Sequence, residues 1–324
     1  MDVAQRIETA IGDGAARVSG ALLVAVSAQD PLLTEVADHL IGAGGKRIRP
    51  AIALCAAAAA AGTVSDAVVQ AAVAVELLHV GTLYHDDVID TAPFRRGVPS
   101  ANARWGNVMA AMAGNVLLSR ASRIAMSLGG DTVGLIALTL AKLCDGELEQ
   151  MRYSFDAGRT VESYLSAIGG KTASLMAAAA RMGALAAGGP AELADALASY
   201  GQEFGMAFQI CDDIKDIVSA THELGKPAGH DMVEGTYTLP VIYALEDPVA
   251  GPPLRELLVA PLDDEQREQA TALVTGSDGI KRATADAQAR VAQALDALEV
   301  AAGLGARPAA LDALAAVAGA LLSG

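Results

Sequence analysis

Large rings are scarce in this 324-residue chain: Trp, Tyr and Phe together make up 3% of it, although hydrophobic residues reach 52%. Strands draw on aromatic and β-branched side chains, so the composition disfavours a β-sandwich or barrel. An apolar mass of Ala, Leu and Val suits closely packed helices instead. Cysteine is also rare. Cys55, Cys144 and Cys211 are widely separated and odd in number, which provides neither a metal-binding spacing nor a disulfide framework. A reducing, cytoplasmic compartment is expected. Positive charge is outnumbered, with 23 Lys and Arg against 38 Asp and Glu and a net charge of −15. That balance argues against general affinity for nucleic acid or anionic lipid surfaces. Long hydrophobic runs are missing as well: the uncharged stretches 51–65 and 105–119 stop short of the roughly 18 residues that suggest a membrane span. The opening Met1-Asp2-Val3-Ala4-Gln5 lacks the basic-then-apolar order of a signal peptide. We expect a soluble protein with greasy helices and no stable membrane insertion.

What is present is helical periodicity, almost from end to end. It breaks at Gly42 to Pro50, Pro93 to Pro99, Gly129-Gly130, Gly188-Gly189-Pro190, Gly225 to Gly229, Gly251-Pro252-Pro253 and Gly303 to Pro308. Each reads as a short connection, and no linker, repeat or charge run divides the chain. The expectation is a single all-α domain over residues 1–324.

Two acidic triples stand out. In His79-Val80-Gly81-Thr82-Leu83-Tyr84-His85-Asp86-Asp87-Val88-Ile89-Asp90, a continuing helix puts Asp86 and Asp90 one turn apart on one face, with His79 two turns below Asp86. Asp212-Asp213-Ile214-Lys215-Asp216 repeats the pattern after an apolar run. A single triple is weak, because a solvated helix face produces one by chance in roughly one such chain in ten. Two copies, each ending an apolar helix, are harder to explain that way: clustered carboxylates raise one another's pKa and weaken the fold unless a cation compensates. Carboxylates on two helices suit Mg²⁺, which keeps coordination positions for water and substrate phosphate.

The few lysines are suggestively placed. Lys46 lies in Gly44-Gly45-Lys46-Arg47-Ile48-Arg49-Pro50, Lys171 in Gly169-Gly170-Lys171-Thr172, Lys215 inside the second triple and Lys226 in Gly225-Lys226-Pro227, while Arg95-Arg96-Gly97 follows the first triple. Glycine beside a cation lets backbone approach a phosphate, and Arg adds paired donors. Each alone reads as an ordinary basic loop. Together, in an acidic chain with two Mg²⁺-type clusters, they point to a diphosphate site. No Walker loop or dinucleotide fingerprint is present.

From Gly44 to about Leu245 the sequence resembles the trans-isoprenyl diphosphate synthases, the polyprenyl synthetase family. The motifs are Gly-Gly-Lys-Arg-Ile-Arg-Pro at 44–50, the two Asp-Asp-x-x-Asp triples, Arg95-Arg96-Gly97-x-Pro99, Lys171-Thr172-Ala173 and Gly225-Lys226-Pro227-x-Gly229-x-Asp231. The resemblance implies one large helical bundle around a deep central cavity, a prenyltransferase activity and a homodimer. It assigns isopentenyl diphosphate to Lys46, Arg49, His79 and Arg96. Asp86, Asp87, Asp90, Asp212, Asp213 and Asp216 would hold about three Mg²⁺ ions on an allylic diphosphate. Arg95, Lys171, Lys226 and Gln209 would contact that substrate, with Thr172 beside them. The aspartates with Lys171 and Thr172 would drive ionisation of the allylic C–O bond. Thr236 stands where the family often has Lys, so one phosphate contact is expected to be lost or supplied elsewhere.

Product length is read from the residues before Asp86. Leu78, Gly81 and Thr82 would lie about 6 to 12 Å below the metals on a helix. Short-chain members of the family carry a bulky aromatic near there, so Gly81 and Thr82 imply an open tunnel and a long all-trans product. Small residues also permit tight helix packing, the plainer reading of each alone. The alternatives are a short-chain geranylgeranyl or farnesyl diphosphate synthase and a non-catalytic or partner-dependent subunit of a two-component synthase. A terpene cyclase would not need Lys46, Arg49 and Arg96. A long product would call for release to a membrane or carrier.

Overall fold

The computed structural model describes residues 2–27, 30–218 and 227–322, and these are helical almost throughout. The helices are α1 (Val3–Ile11), α2 (Gly14–Val26), α3 (Pro31–Gly42), α4 (Ile48–Ala61), α5 (Asp66–Ile89), α6 (Ala101–Trp105), α7 (Asn107–Leu128), α8 (Gly130–Arg152) and α9 (Val161–Ile168). A π-helical turn, Gly169–Ala173, then leads into α10 (Ser174–Ala186) and α11 (Ala191–Val218). The remainder is α12 (His230–Val233), α13 (Leu239–Glu246), α14 (Gly251–Leu257), α15 (Asp264–Gly276), α16 (Gly279–Gly303) and α17 (Pro308–Ala320). The all-α expectation holds, with one addition. A ribbon pairs β1 (Phe94–Arg95) with β2 (Val98–Pro99). Two-residue strands leave no alternation to read; the turn makes the ribbon, because Arg96 and Gly97 both take positive φ (55° and 76°) as a tight hairpin requires. Gly251-Pro252-Pro253, read as a connection, instead opens α14. Proline at the first helical positions forfeits no intrahelical hydrogen bond.

The chain groups into two compact units that alternate along the sequence. The first holds Met1–Leu140, Leu175–Gly201 and Ala297–Val317; the second holds Ala141–Ser174, Gln202–Asp296 and Ala318–Gly324.

In the first unit, α5 carries the first acidic triple. Ser65 caps it by accepting from the Val68 amide at 3.3 Å. Its body is apolar on nearly every side, so it is a buried core helix rather than an amphipathic one. By length and composition α5 could cross a membrane, but 72% of its apolar window is buried inside the fold. Alanine and glycine contribute little apolar area here; what they allow is close approach. A Cβ on Gly114 of α7 would sit 2.9 Å from the Gly81 carbonyl oxygen of α5. In the second unit, one apolar cluster gathers Tyr164, Ile168, Met206, Ile210, Leu239 and Ile242, and a second gathers Ile217, Met232, Tyr237, Leu254 and Val274.

Candidate active site

The residues singled out by sequence fall into two groups, one in each unit. The first is built on α5, the ribbon and the loop before α4. That loop begins with Gly44 and Gly45 at φ 90° and 132°, and Arg47 follows in the left-handed region at 48°. A Cβ on Gly45 would meet the Arg96 guanidinium carbon at 2.9 Å, so glycine is what lets Arg96 lie against this loop. Arg96 donates to the Leu40 carbonyl at 2.7 Å and to the Gly44 carbonyl. Arg47 pairs with Glu76, which is only 2% exposed, and also donates to the Ile41 carbonyl at 2.8 Å. Neither Arg47 nor Glu76 was singled out from sequence. The available signal was Glu76 itself, a lone carboxylate within the apolar run of α5.

Arg49 and His79 lie together, Arg49 Nη1 at 3.2 Å from His79 Nε2. Burial pushes the Arg49 guanidinium down to about 10; Glu76 opposes this and Arg96 adds to it. Burial also holds His79 well below its ordinary 6.5, and the charges of Arg49, Arg96, Arg47 and Arg95 lower it further. His79 is therefore a neutral imidazole at pH 7 among four guanidiniums. Carboxylates accompany two of the four: Glu76 with Arg47, and Asp87 with Arg95. Arg49 Nε is buried with no hydrogen-bond partner, an orphaned charged donor of the kind an anion satisfies. Lys46 is exposed at the loop.

The first triple does not present three equivalent carboxylates. Asp86 is half-buried, and Asp90 is exposed at the end of α5. Asp87 is fully buried, its Oδ1 receiving Arg95 Nη2 at 2.6 Å and Nε at 2.7 Å. Burial raises its pKa and Arg95 opposes the rise. Asp87 Oδ2 is buried without a hydrogen-bond partner.

The second group belongs to α8, α9, the π-turn and α11. Gly170 is where the π-turn touches α8: a Cβ there would fall 2.6 Å from the Lys142 carbonyl oxygen and 2.9 Å from Gly146 Cα. A π-turn inserts an extra residue and frequently marks a functional site; here it carries Lys171 and Thr172. Lys171 Nζ pairs with Glu147 at 2.7 Å. Thr172 donates to Gln209 Oε1 at 2.8 Å, Gln209 Nε2 donates to Asp213 Oδ1 at 2.8 Å, and Tyr164 donates to Asp213 Oδ2 at 2.5 Å. Burial, helped by the nearby Asp231 charge, pushes Asp213 up to about 8 against these hydrogen bonds. Asp216 is buried, and its Oδ2 receives the Asp231 amide at 3.3 Å; Asp212 is exposed. Glu147, Tyr164 and Arg159 join this group unannounced by the sequence, since each looks like any residue of an amphipathic stretch. Lys226 lies outside the described residues.

Among the described residues, no three His, Cys, Asp or Glu side chains form a ready-made metal cage. The donors are nevertheless hard carboxylate oxygens, and a buried Asp87 oxygen lacks a partner. Mg²⁺ fits such a set, because it takes one or two carboxylates and completes its shell with water and substrate phosphate.

A polyprenyl synthetase family model matches residues 30–274. The nonaprenyl diphosphate synthase of Mycobacterium tuberculosis is 41% identical over 278 residues, covering 85% of this chain and 82% of its own length. A polyprenyl synthase from Caulobacter crescentus, solved with calcium and isoprenyl diphosphate, superposes with a TM-score of 0.90 at 31% identity, over 99% of this chain and 97% of that one. A geranylgeranyl pyrophosphate synthase from Corynebacterium glutamicum, solved with the same two ligands, gives 0.85 at 38% identity, over 97% and 95%. Motifs, helical architecture and these likenesses agree: the chain belongs to the polyprenyl synthetase family.

Proposed function

We propose that this chain is a long-chain all-trans polyprenyl diphosphate synthase, which condenses isopentenyl diphosphate head to tail with an allylic diphosphate in the presence of Mg²⁺. The observation that carries the reading is the guanidinium cluster around neutral His79, with its orphaned Arg49 donor; His79 itself sits on the helix that bears an intact aspartate triple. Arg49, Arg96 and His79, with Lys46 reaching in from the loop, bind the isopentenyl diphosphate. Asp86, Asp87, Asp90, Asp212, Asp213 and Asp216 are assigned to the ions, with Asp87 and Asp213 also orienting Arg95 and Gln209 through their hydrogen bonds. Bound Mg²⁺ supplies charge neutralisation for the departing allylic diphosphate. Lys171 and Arg95 bind the same diphosphate. The Thr172 hydroxyl and the Gln209 amide direct their oxygen dipoles at the positive charge that develops on the allylic carbon.

The long product is favoured by the nonaprenyl relative and by the small residues Thr82 and Gly81 at the positions four and five before Asp86. Gly81 supports it less directly than expected. A Cβ there would meet Leu118 Cδ2 at 3.0 Å and the Gly114 carbonyl at 3.2 Å, so its small size serves the α5–α7 crossing. Thr82, half-buried with its hydroxyl on the His79 carbonyl at 2.8 Å, is the better candidate to face a growing chain. The exposed apolar side chains of Val108, Met112 and Met126 along α7 are the face we assign to a homodimer. We place the reaction in the cytoplasm.

Purified protein incubated with farnesyl diphosphate, labelled isopentenyl diphosphate and Mg²⁺ is expected to yield products well beyond C20. Accumulation of a C20 end point would make it a short-chain synthase. Absence of any condensation by the chain alone, restored by a second subunit, would make it a partner-dependent component.

A further inference from the structure

The chain of hydrogen bonds through Asp213 extends beyond the residues assigned to substrate and ion. Its inner end is Tyr164 of α9, 1% exposed, whose hydroxyl reaches Asp213 Oδ2 at 2.5 Å. Behind Tyr164 stands Arg159, 5% exposed, with its guanidinium carbon 5.5 Å from the centroid of the Tyr164 ring and Nη1 donating to the Tyr237 carbonyl at 3.0 Å. Burying an arginine and a tyrosine hydroxyl in an apolar cluster is costly unless each is hydrogen-bonded, and a phenylalanine would pack the same space. Their arrangement does one thing a plain core could not. Tyr164 donates its hydroxyl hydrogen to Asp213 Oδ2, which fixes the plane of the carboxyl group. Asp213 in turn accepts from Gln209 Nε2, which fixes the amide with Oε1 toward Thr172, and the Thr172 hydroxyl is then committed as a donor.

We infer that Tyr164 is a positioning residue for prenyl transfer, acting with Asp213, Gln209 and Thr172 as one hydrogen-bonded unit that orients the π-turn against the allylic substrate. The inference rests on the functional reading above, but concerns a residue that touches neither substrate nor ion. A unit of this kind works as a whole, so removing either end releases the rest.

The test is a double-mutant cycle of Tyr164→Phe and Thr172→Ala, read as kcat with farnesyl diphosphate and as KM for each substrate. Each single change is expected to lower kcat about tenfold, and the double mutant about tenfold rather than about a hundredfold. KM for isopentenyl diphosphate should stay within about twofold, since its cations belong to the other residue group. A non-reactive allylic thiolodiphosphate, titrated calorimetrically with Mg²⁺, should bind more weakly to Tyr164→Phe than to wild type, a readout independent of turnover. Multiplicative kcat losses, or equal losses of both KM values with unchanged analogue binding, would reduce Tyr164 to a packing residue. Should Tyr164→Phe not fold, the cycle of Asp213→Asn with Thr172→Ala interrogates the same line by the same criterion. An inactive wild type would instead defeat the functional reading.

Discussion

Gly170→Ala strikes a close backbone contact between the π-turn and α8. The new Cβ would lie 2.6 Å from the Lys142 carbonyl oxygen, 2.9 Å from Gly146 Cα and 3.0 Å from Gly146 N, all of them backbone atoms that cannot rotate aside. Ordinary contact begins near 3.4 Å, so the π-turn and α8 must part by about 0.8 Å, the difference between 3.4 and 2.6. Two effects then oppose one another in stability. Alanine in a helical position is favoured over glycine by about 1 kcal/mol, whereas forcing a methyl into a closed contact costs about 1–3 kcal/mol. The net loss is at most about 2 kcal/mol, a modest fall in Tm. The catalytic effect is larger, because the next residues are Lys171 and Thr172, and a displacement of about 1 Å costs up to about a hundredfold in rate. We therefore expect a folded variant with kcat lowered roughly tenfold to a hundredfold, its KM for isopentenyl diphosphate unchanged. Steady-state kinetics beside thermal unfolding decides the matter. A Gly170→Ala enzyme with wild-type kcat would show that the crossing yields without moving Lys171 and Thr172.

Arg49→Met removes the buried donor with no protein partner and should raise KM for isopentenyl diphosphate by about tenfold or more, a charge-assisted hydrogen bond being worth about 1.5–3 kcal/mol; the allylic KM serves as the internal control. His79 gives a pH signature. Its native pKa lies well below 6.5, so below that pH the unfolded chain binds a proton that the native one refuses, and stability falls as pH drops through 6.5. His79→Gln should flatten that part of the Tm–pH curve, and an identical slope would contradict it. Gly81→Phe should disrupt the α5–α7 crossing, costing about 1–3 kcal/mol or more; a stable variant with a shorter product would instead put a tunnel at that position. Thr82→Phe is the change expected to shorten the product, measured by chromatography of the dephosphorylated prenols.

Much of this protein was readable in its order of residues, for a physical reason. Helix is a local structure, so Ala-rich periodicity and Gly or Pro punctuation mark it without knowledge of neighbours. The face shared by Asp86 and Asp90 follows from 3.6 residues per turn. The clustering of Gly44, Gly45 and Lys46 is equally local. None of these needs a distant partner. Pairing across long separations does, and there the sequence was silent. Arg47 with Glu76, Lys171 with Glu147, Tyr164 with Asp213 and the meeting of Gly170 with the α8 backbone join residues 24 to 49 positions apart, or pack backbone on backbone with no side chain to signal it. The six aspartates look alike as letters. Folding separates them: Asp87 and Asp213 lose their water and take a fixed partner, while Asp90 and Asp212 stay exposed, because burial depends on what packs over a helix face rather than on the face alone.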